Sequence, residues 1–179
     1  MNKFTGKVAT HGFHAQLCLH QIFAQRVEEQ PTAIALIHRE EQLTYAELDQ
    51  KSTALAHHLL SLGLQSEQFV AICMDRSFEM LISIFAVLKA GGAYVPIDVD
   101  YPEERLRFMI EDSAAQIVLT QQSLVDKLPK TAKHIIPLEE LNLEQPTVNS
   151  SALSKDTSPT TNYQLPTTNP EHLAYCIYT

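Results

Sequence analysis

Residues Phe69 to Asp98 read FVAICMDRSFEMLISIFAVLKAGGAYVPID. The run FVAICM is short, continuous and apolar, which suits a strand buried on both faces. Ser77 then opens a long apolar helix, and Gly91-Gly92 closes it: one glycine can take the left-handed cap conformation while the other lets the chain pass close to its neighbours. Ala93 to Val95 is a second strand. Pro96 has no N–H to donate, so that strand must end or reach a sheet edge there. A strand, a helix and another strand in this order imply parallel pairing through a right-handed crossover.

The same alternation extends in both directions. Towards the C-terminus, Pro102 starts a helix that runs to about Ser113, with Glu103 and Glu104 in the first turn where the helix dipole favours acids. QIVLT (116–120) is a strand, Ser123 to Leu128 a short helix, and His134 to Ile136 a further strand. Towards the N-terminus, Leu19, Ile22, Phe23 and Val27 fall at helical spacing up to Pro31. AIALIH (33–38) suits a strand, Arg39 to Gln42 a polar turn, and Leu43-Thr44 leads into a helix ending near Leu62 with Gly63 as its cap. The expected fold class is α/β, a mainly parallel sheet flanked by helices. Residues 1–16 read as a flexible lead-in. Of the 25 residues 146–170, seventeen are Ser, Thr, Asn or Pro; such a stretch buries little and reads as a mobile polar loop. LAYCIY (173–178) resumes a strand pattern.

Composition narrows the function. Of 179 residues 45% are hydrophobic and 19% charged, and the net charge is -8 from 21 acidic and 13 basic side chains. Without a Lys/Arg cluster, neither nucleic acid nor an acidic membrane surface is an expected partner. No apolar run reaches bilayer length and no secretion signal opens the chain, so a cytoplasmic location is expected. Cys18, Cys73 and Cys176 sit among apolar neighbours and read as buried reduced thiols. The eight histidines form no His-x-x-x-His pair, and no metal site is expected.

Two further stretches carry local signals. In LTYAEL (43–48), Thr44 and Glu47 are spaced for a reciprocal capping box, and Leu43 and Leu48 for a hydrophobic staple, with Tyr45 between them. Alone this is a folding signal without chemistry. In LKAGGAYVPID (88–98), the glycines close a helix rather than open one, which excludes a phosphate loop and the glycine-rich turn of a dinucleotide-binding module. Lys89 reads as a solvated charge in the last helical turn rather than a catalytic amine.

Together these stretches resemble the core motifs of nonribosomal peptide synthetase amino-acid adenylation domains, within the AMP-binding, adenylate-forming superfamily. LTYAEL, with Leu43, Thr44, Tyr45, Glu47 and Leu48, resembles the first motif. LKAGGAYVPID, with Gly91, Gly92, Pro96 and Asp98, resembles the second, and LAYCIYT the opening half of the third. Their order is right, and Arg76 to Met80 and Tyr101 to Arg105 fit between them. Val99 stands where such domains usually carry proline, and the 146–170 loop is long for the family. The resemblance covers residues 17–179. It implies the N-terminal portion of such a domain, broken off within the third motif, with no catalytic residue and no metal ligand of its own. Thr179 would be the first residue of the loop that holds the ATP phosphates. The parent enzyme would use MgATP to convert an amino acid to its aminoacyl-adenylate, then pass it to the phosphopantetheine thiol of a peptidyl carrier domain. The sister branch, acyl-CoA synthetase-like acyl adenylases, is the alternative; AYVPID and YPEER favour the peptide synthetase branch. The isolated chain is expected to be inactive, a structural fragment of that parent.

Overall fold

The computed structural model describes residues 17–143 and 165–178. The expected lead-in 1–16, the part of the polar loop before Leu165, and Thr179 lie outside the described residues.

The centre is a four-stranded parallel sheet. It comprises β3 (Phe69–Cys73), β4 (Ala93–Ile97), β5 (Ile117–Thr120) and β6 (His134–Pro137), in the order β4-β3-β5-β6. Val70 pairs with Tyr94 on one side and Ile117 on the other. Successive residues of β3 serve opposite faces. Val70 and Ile72 pack with α2 (Tyr45–Ser61) and α3 (Phe78–Lys89). Ala71 and Cys73 pack with α4 (Glu103–Asp112). Burial on both faces explains why these strands read as unbroken apolar runs. Full burial of each Val, Leu or Ile contributes about 1.5–3 kcal/mol, so both layers are needed to hold the sheet. Preceding this unit are α1 (Leu19–Glu29) and an antiparallel hairpin of β1 (Ile34–His38) and β2 (Glu41–Thr44).

The first motif folds as its spacing predicts. The Thr44 side chain accepts from Glu47 N–H at 3.2 Å, and Glu47 accepts from Thr44 N–H at 2.8 Å. Leu43 and Leu48 are both buried in the α2–α3 core. In the second motif Gly91 has φ +77°. A Cβ on Gly92 would stand 3.1 Å from the Gln68 carbonyl and 3.2 Å from Leu64. One glycine supplies the turn and the other the close approach.

Of the three cysteines read as buried, Cys73 is buried, whereas Cys18 and Cys176 are only half-buried. Four further expectations are corrected. The polar turn before α2 is shorter than expected, because Glu41 and Gln42 belong to β2; with only Leu43 buried, that strand has no alternating pattern to read. Leu19, on the apolar stripe of α1, is 58% exposed, and Phe23 is that helix's buried residue. Lys89 is not solvated. It is 5% exposed, and its Nζ donates to Asp49 Oδ1 (2.8 Å), Asp49 O (3.0 Å), Ser52 Oγ (2.8 Å) and Thr53 Oγ1 (2.9 Å), 5.6 Å from the Phe23 ring centre. The last turn of α3 lies against α2 instead of water, and a long side chain there needs partners. Burial lowers the Lys89 pKa while the Asp49 hydrogen bond opposes that shift.

The fourth correction concerns LAYCIY. It runs parallel to β4 but pairs through a single bridge, Tyr94 with Tyr175. Tyr94 N–H donates to Ala174 O, and Cys176 N–H donates to Tyr94 O, both at 3.0 Å. The ladder cannot grow either way. On one side Gly92 N–H is committed to the helix cap, donating to Val87 O at 3.0 Å. On the other, Pro96 has no donor. Pro96 does not end β4, which continues to Ile97; it lies on the edge strand, the alternative its chemistry allowed.

Candidate functional site

The sheet order creates a switch point. From β3 the chain passes to α3 on one face, and from β4 to α4 on the other. Between such strands a crevice opens at their C-terminal ends, where ligands of open α/β sheets bind. Here the crevice has a volume of about 380 Å³. Its walls come from Met74 to Arg76 after β3, Pro96 to Tyr101 at the end of β4, and Ile177 and Tyr178.

The polar groups of this crevice are held firmly. Asp98 Oδ1 accepts from Asp100 N–H at 3.0 Å, and Asp98 O from Tyr101 N–H at 3.2 Å, which fixes the turn after β4. Tyr101 lies under the Arg105 guanidinium at 4.5 Å. Asp75 N–H donates to Gln121 Oε1 at 3.0 Å, tying the loop after β3 to the one after β5. Cys73, buried beneath, has its thiol pushed up to about 11 by burial and then by Asp98 and Asp75. At neutral pH it is a thiol rather than the nucleophilic thiolate. Tyr178 donates its hydroxyl to Asp112 Oδ2 at 2.7 Å and packs edge-on to Phe108. Desolvation and that hydrogen bond push the phenol up to about 12, so it remains protonated.

Three acidic residues, Asp75, Asp98 and Asp100, line the crevice with one basic residue, Arg76. That balance repels phosphate groups. Among the described residues no group of three or more His, Cys, Asp or Glu is placed to hold a metal ion. These residues therefore do not, by themselves, fit a nucleoside triphosphate with its metal. The crevice's chemistry is that of a rigid, acidic wall beside the segment that leads to Thr179.

The structure separates the residues singled out in the sequence. Pro96 and Asp98 line the crevice. Gly91 and Gly92 lie at the opposite end of β4, beside Cys18, His20, Thr168 and Leu173. Leu43, Thr44, Tyr45, Glu47 and Leu48 start α2 and take no part in the crevice. Residue reading missed Lys89 as a buried hub and Glu67 as a left-handed residue with φ 62°. Neither has a local signature.

A family profile described as "AMP-binding enzyme" matches residues 23–179. The chain belongs to the AMP-binding enzyme family. As a member of that family it is 45% identical over 165 residues to a linear gramicidin synthase of Brevibacillus parabrevis, an alignment covering 92% of this chain and 2% of that protein. Its fold matches a crystal structure of the nonribosomal peptide synthetase FmoA3 in an AMPPNP-bound form. The TM-score is 0.73 at 28% identity, with 92% of this chain and 16% of that one covered. It also matches NpsA-ThdA, an artificially fused adenylation–PCP di-domain from Klebsiella oxytoca, with a TM-score of 0.64 at 29% identity over 69% of this chain and 23% of that one. The chain thus spans a small fraction of the relatives it resembles. Within the AMP-binding family segment, the three motifs occupy a helix start, a helix end at a sheet edge, and the bridge segment beside that edge.

Proposed function

We propose that these residues form the N-terminal part of an amino-acid adenylation domain in nonribosomal peptide synthesis. The whole protein activates an amino acid with MgATP to the aminoacyl-adenylate and loads it onto the phosphopantetheine thiol of a carrier domain. The observation that carries this reading is the alignment with a gramicidin synthase over nearly the whole chain, with all three motifs in order. The AMPPNP-bound relative supports ATP as co-substrate, and the adenylation–PCP fusion supports a carrier domain as partner. No helix among the described residues is long and apolar enough to cross a membrane. A cytoplasmic location is part of this proposal.

In this reading the 179 residues contribute frame rather than catalysis. The parallel sheet and its two helical layers support the β4 edge, and the edge carries the segment that enters the phosphate loop at Thr179. Adenylation needs aligned donors, a metal ion and a positioned cation around the phosphates. The acidic crevice supplies no such set, so we assign it to parts of the longer protein outside these residues.

The test is amino-acid-dependent exchange of pyrophosphate into ATP. The whole protein should catalyse it for one amino acid or a small set, and residues 1–179 alone should give none. A whole protein that adenylates only fatty or aryl acids would favour an acyl-CoA synthetase-like enzyme. Exchange by residues 1–179 alone would overturn the division of labour.

A further inference from the structure

The segment leading to Thr179 rests on β4 through one bridge, and that bridge fixes only Ala174 and Cys176. Leu173 N–H falls outside it. Its partner comes from elsewhere in the chain: it donates to Glu67 Oε1 at 3.2 Å across a separation of 106 residues. Glu67 lies in the loop that connects α2 to β3, and its backbone is unusual. Its φ is 62°, in the left-handed region that disfavours a side chain. Glu67 N–H donates to Gly91 O at 2.8 Å, so the residue is locked to the glycine cap of the second motif. Gly91 in turn lies close to Pro166, on the stretch that returns the chain to the sheet.

Glycine would satisfy this backbone without strain, and it would make the same N–H bond to Gly91. What glycine cannot supply is the carboxylate that takes Leu173 N–H. Residues held in sparsely populated conformations persist where the surrounding structure demands something of them. Here the demand is a tie between the second and third motifs.

We propose that Glu67 is a positioning residue. Its backbone reads the place of the Gly91 cap, and its carboxylate transmits that place to Leu173, six residues before Thr179. It touches no reacting atom. Its effect on catalysis rests on the adenylation reading given above, whereas its effect on Leu173 does not.

Three variants separate the possibilities. Glu67→Gln keeps the acceptor oxygen, Glu67→Ala removes it, and Glu67→Gly removes it while relieving the left-handed strain. Amide hydrogen exchange is read on the chain as it stands. The Leu173 amide should exchange faster in E67A and E67G and remain unchanged in E67Q. In the whole protein, E67A and E67G should lower kcat/KM for ATP in pyrophosphate exchange by about 3- to 10-fold, the net scale of one solvent-exposed hydrogen bond. E67Q should stay within about twofold, on the same scale. The melting temperature of E67G should equal or exceed that of E67A, so an equal loss of activity in the two variants does not track stability. An unchanged Leu173 amide in E67A overturns the tie. A faster amide with unchanged kinetics overturns its catalytic consequence. E67Q as impaired as E67A would mean that charge, not the acceptor, matters, and overturns the proposal as stated. A whole protein without any amino-acid-dependent exchange sinks the functional reading and the kinetic half with it, leaving the tie to be judged on Leu173 alone.

Discussion

At the scale of the residue, Lys89 shows what a buried cation costs and contributes. Four oxygens around one ammonium satisfy it fully, and removing it would leave Ser52 and Asp49 groups facing a gap. The Lys89→Met variant keeps much of the volume and loses the donors. It should lower unfolding free energy by about 2–4 kcal/mol, less than a fully buried pair because Asp49 is partly exposed. Urea denaturation measures this. Gly91 makes a second prediction. At φ +77°, with Pro166 Cγ 3.0 Å from where a Cβ would stand, a β-branched residue is strained twice. Gly91→Val should cost about 1–3 kcal/mol by the same measurement. The glycine's role is legible from sequence, because a glycine pair after a helix has few other uses. The lysine's is not. Its partners Asp49, Ser52 and Thr53 lie 36 to 40 positions away, and nothing local announces them.

The element scale shows where pattern reading succeeds. β3 and β5 are buried on both faces and stand out as apolar runs; α2 and α3 carry their own caps. β2 has one buried residue and no periodic signal, so its sequence reads as a turn. LAYCIY has a strand's composition, but whether it pairs depends on the edge it meets. That edge offers a single usable residue between Gly92 and Pro96. A Pro96→Val variant supplies the missing N–H opposite Cys176 O. It should extend the bridge, seen as a protected amide at position 96 in hydrogen exchange, with the sheet otherwise unchanged. A position 96 amide as exposed as in a free chain would show that geometry, not the missing donor, limits the ladder.

At the scale of the whole molecule, two histidines among the described residues tie stability to pH just below neutrality. His20 is lowered from its ordinary value of 6.5 by burial and then by Lys89, and His58 by burial and then by His134. Both are therefore harder to protonate folded than unfolded. Well above pH 6.5 they are neutral in either state and contribute no pH dependence. As pH falls through 6.5 the unfolded chain takes up protons first, so stability should drop until the folded values are passed. Urea midpoints measured from about pH 7.5 down to about pH 5.5 should decline, and His58→Gln should flatten part of that slope. Glu47, whose carboxyl is held below 4.5 by Thr44, acts only in more acid solution.

The two outer strands of the sheet have a consequence in time. Synthesis completes β6 at Pro137, and the segment that bridges to β4 follows only from Leu173. At about 5–20 residues per second, the nascent sheet stands for about 2–7 s with the outer side of β4 bare. An unpaired edge is a template for any passing strand. During that interval Pro96 denies an intruder the donor it would need, and Pro137 does the same at the end of β6 on the far side. The proline that later limits the rightful partner to one bridge is, on the ribosome, a guard against the wrong one.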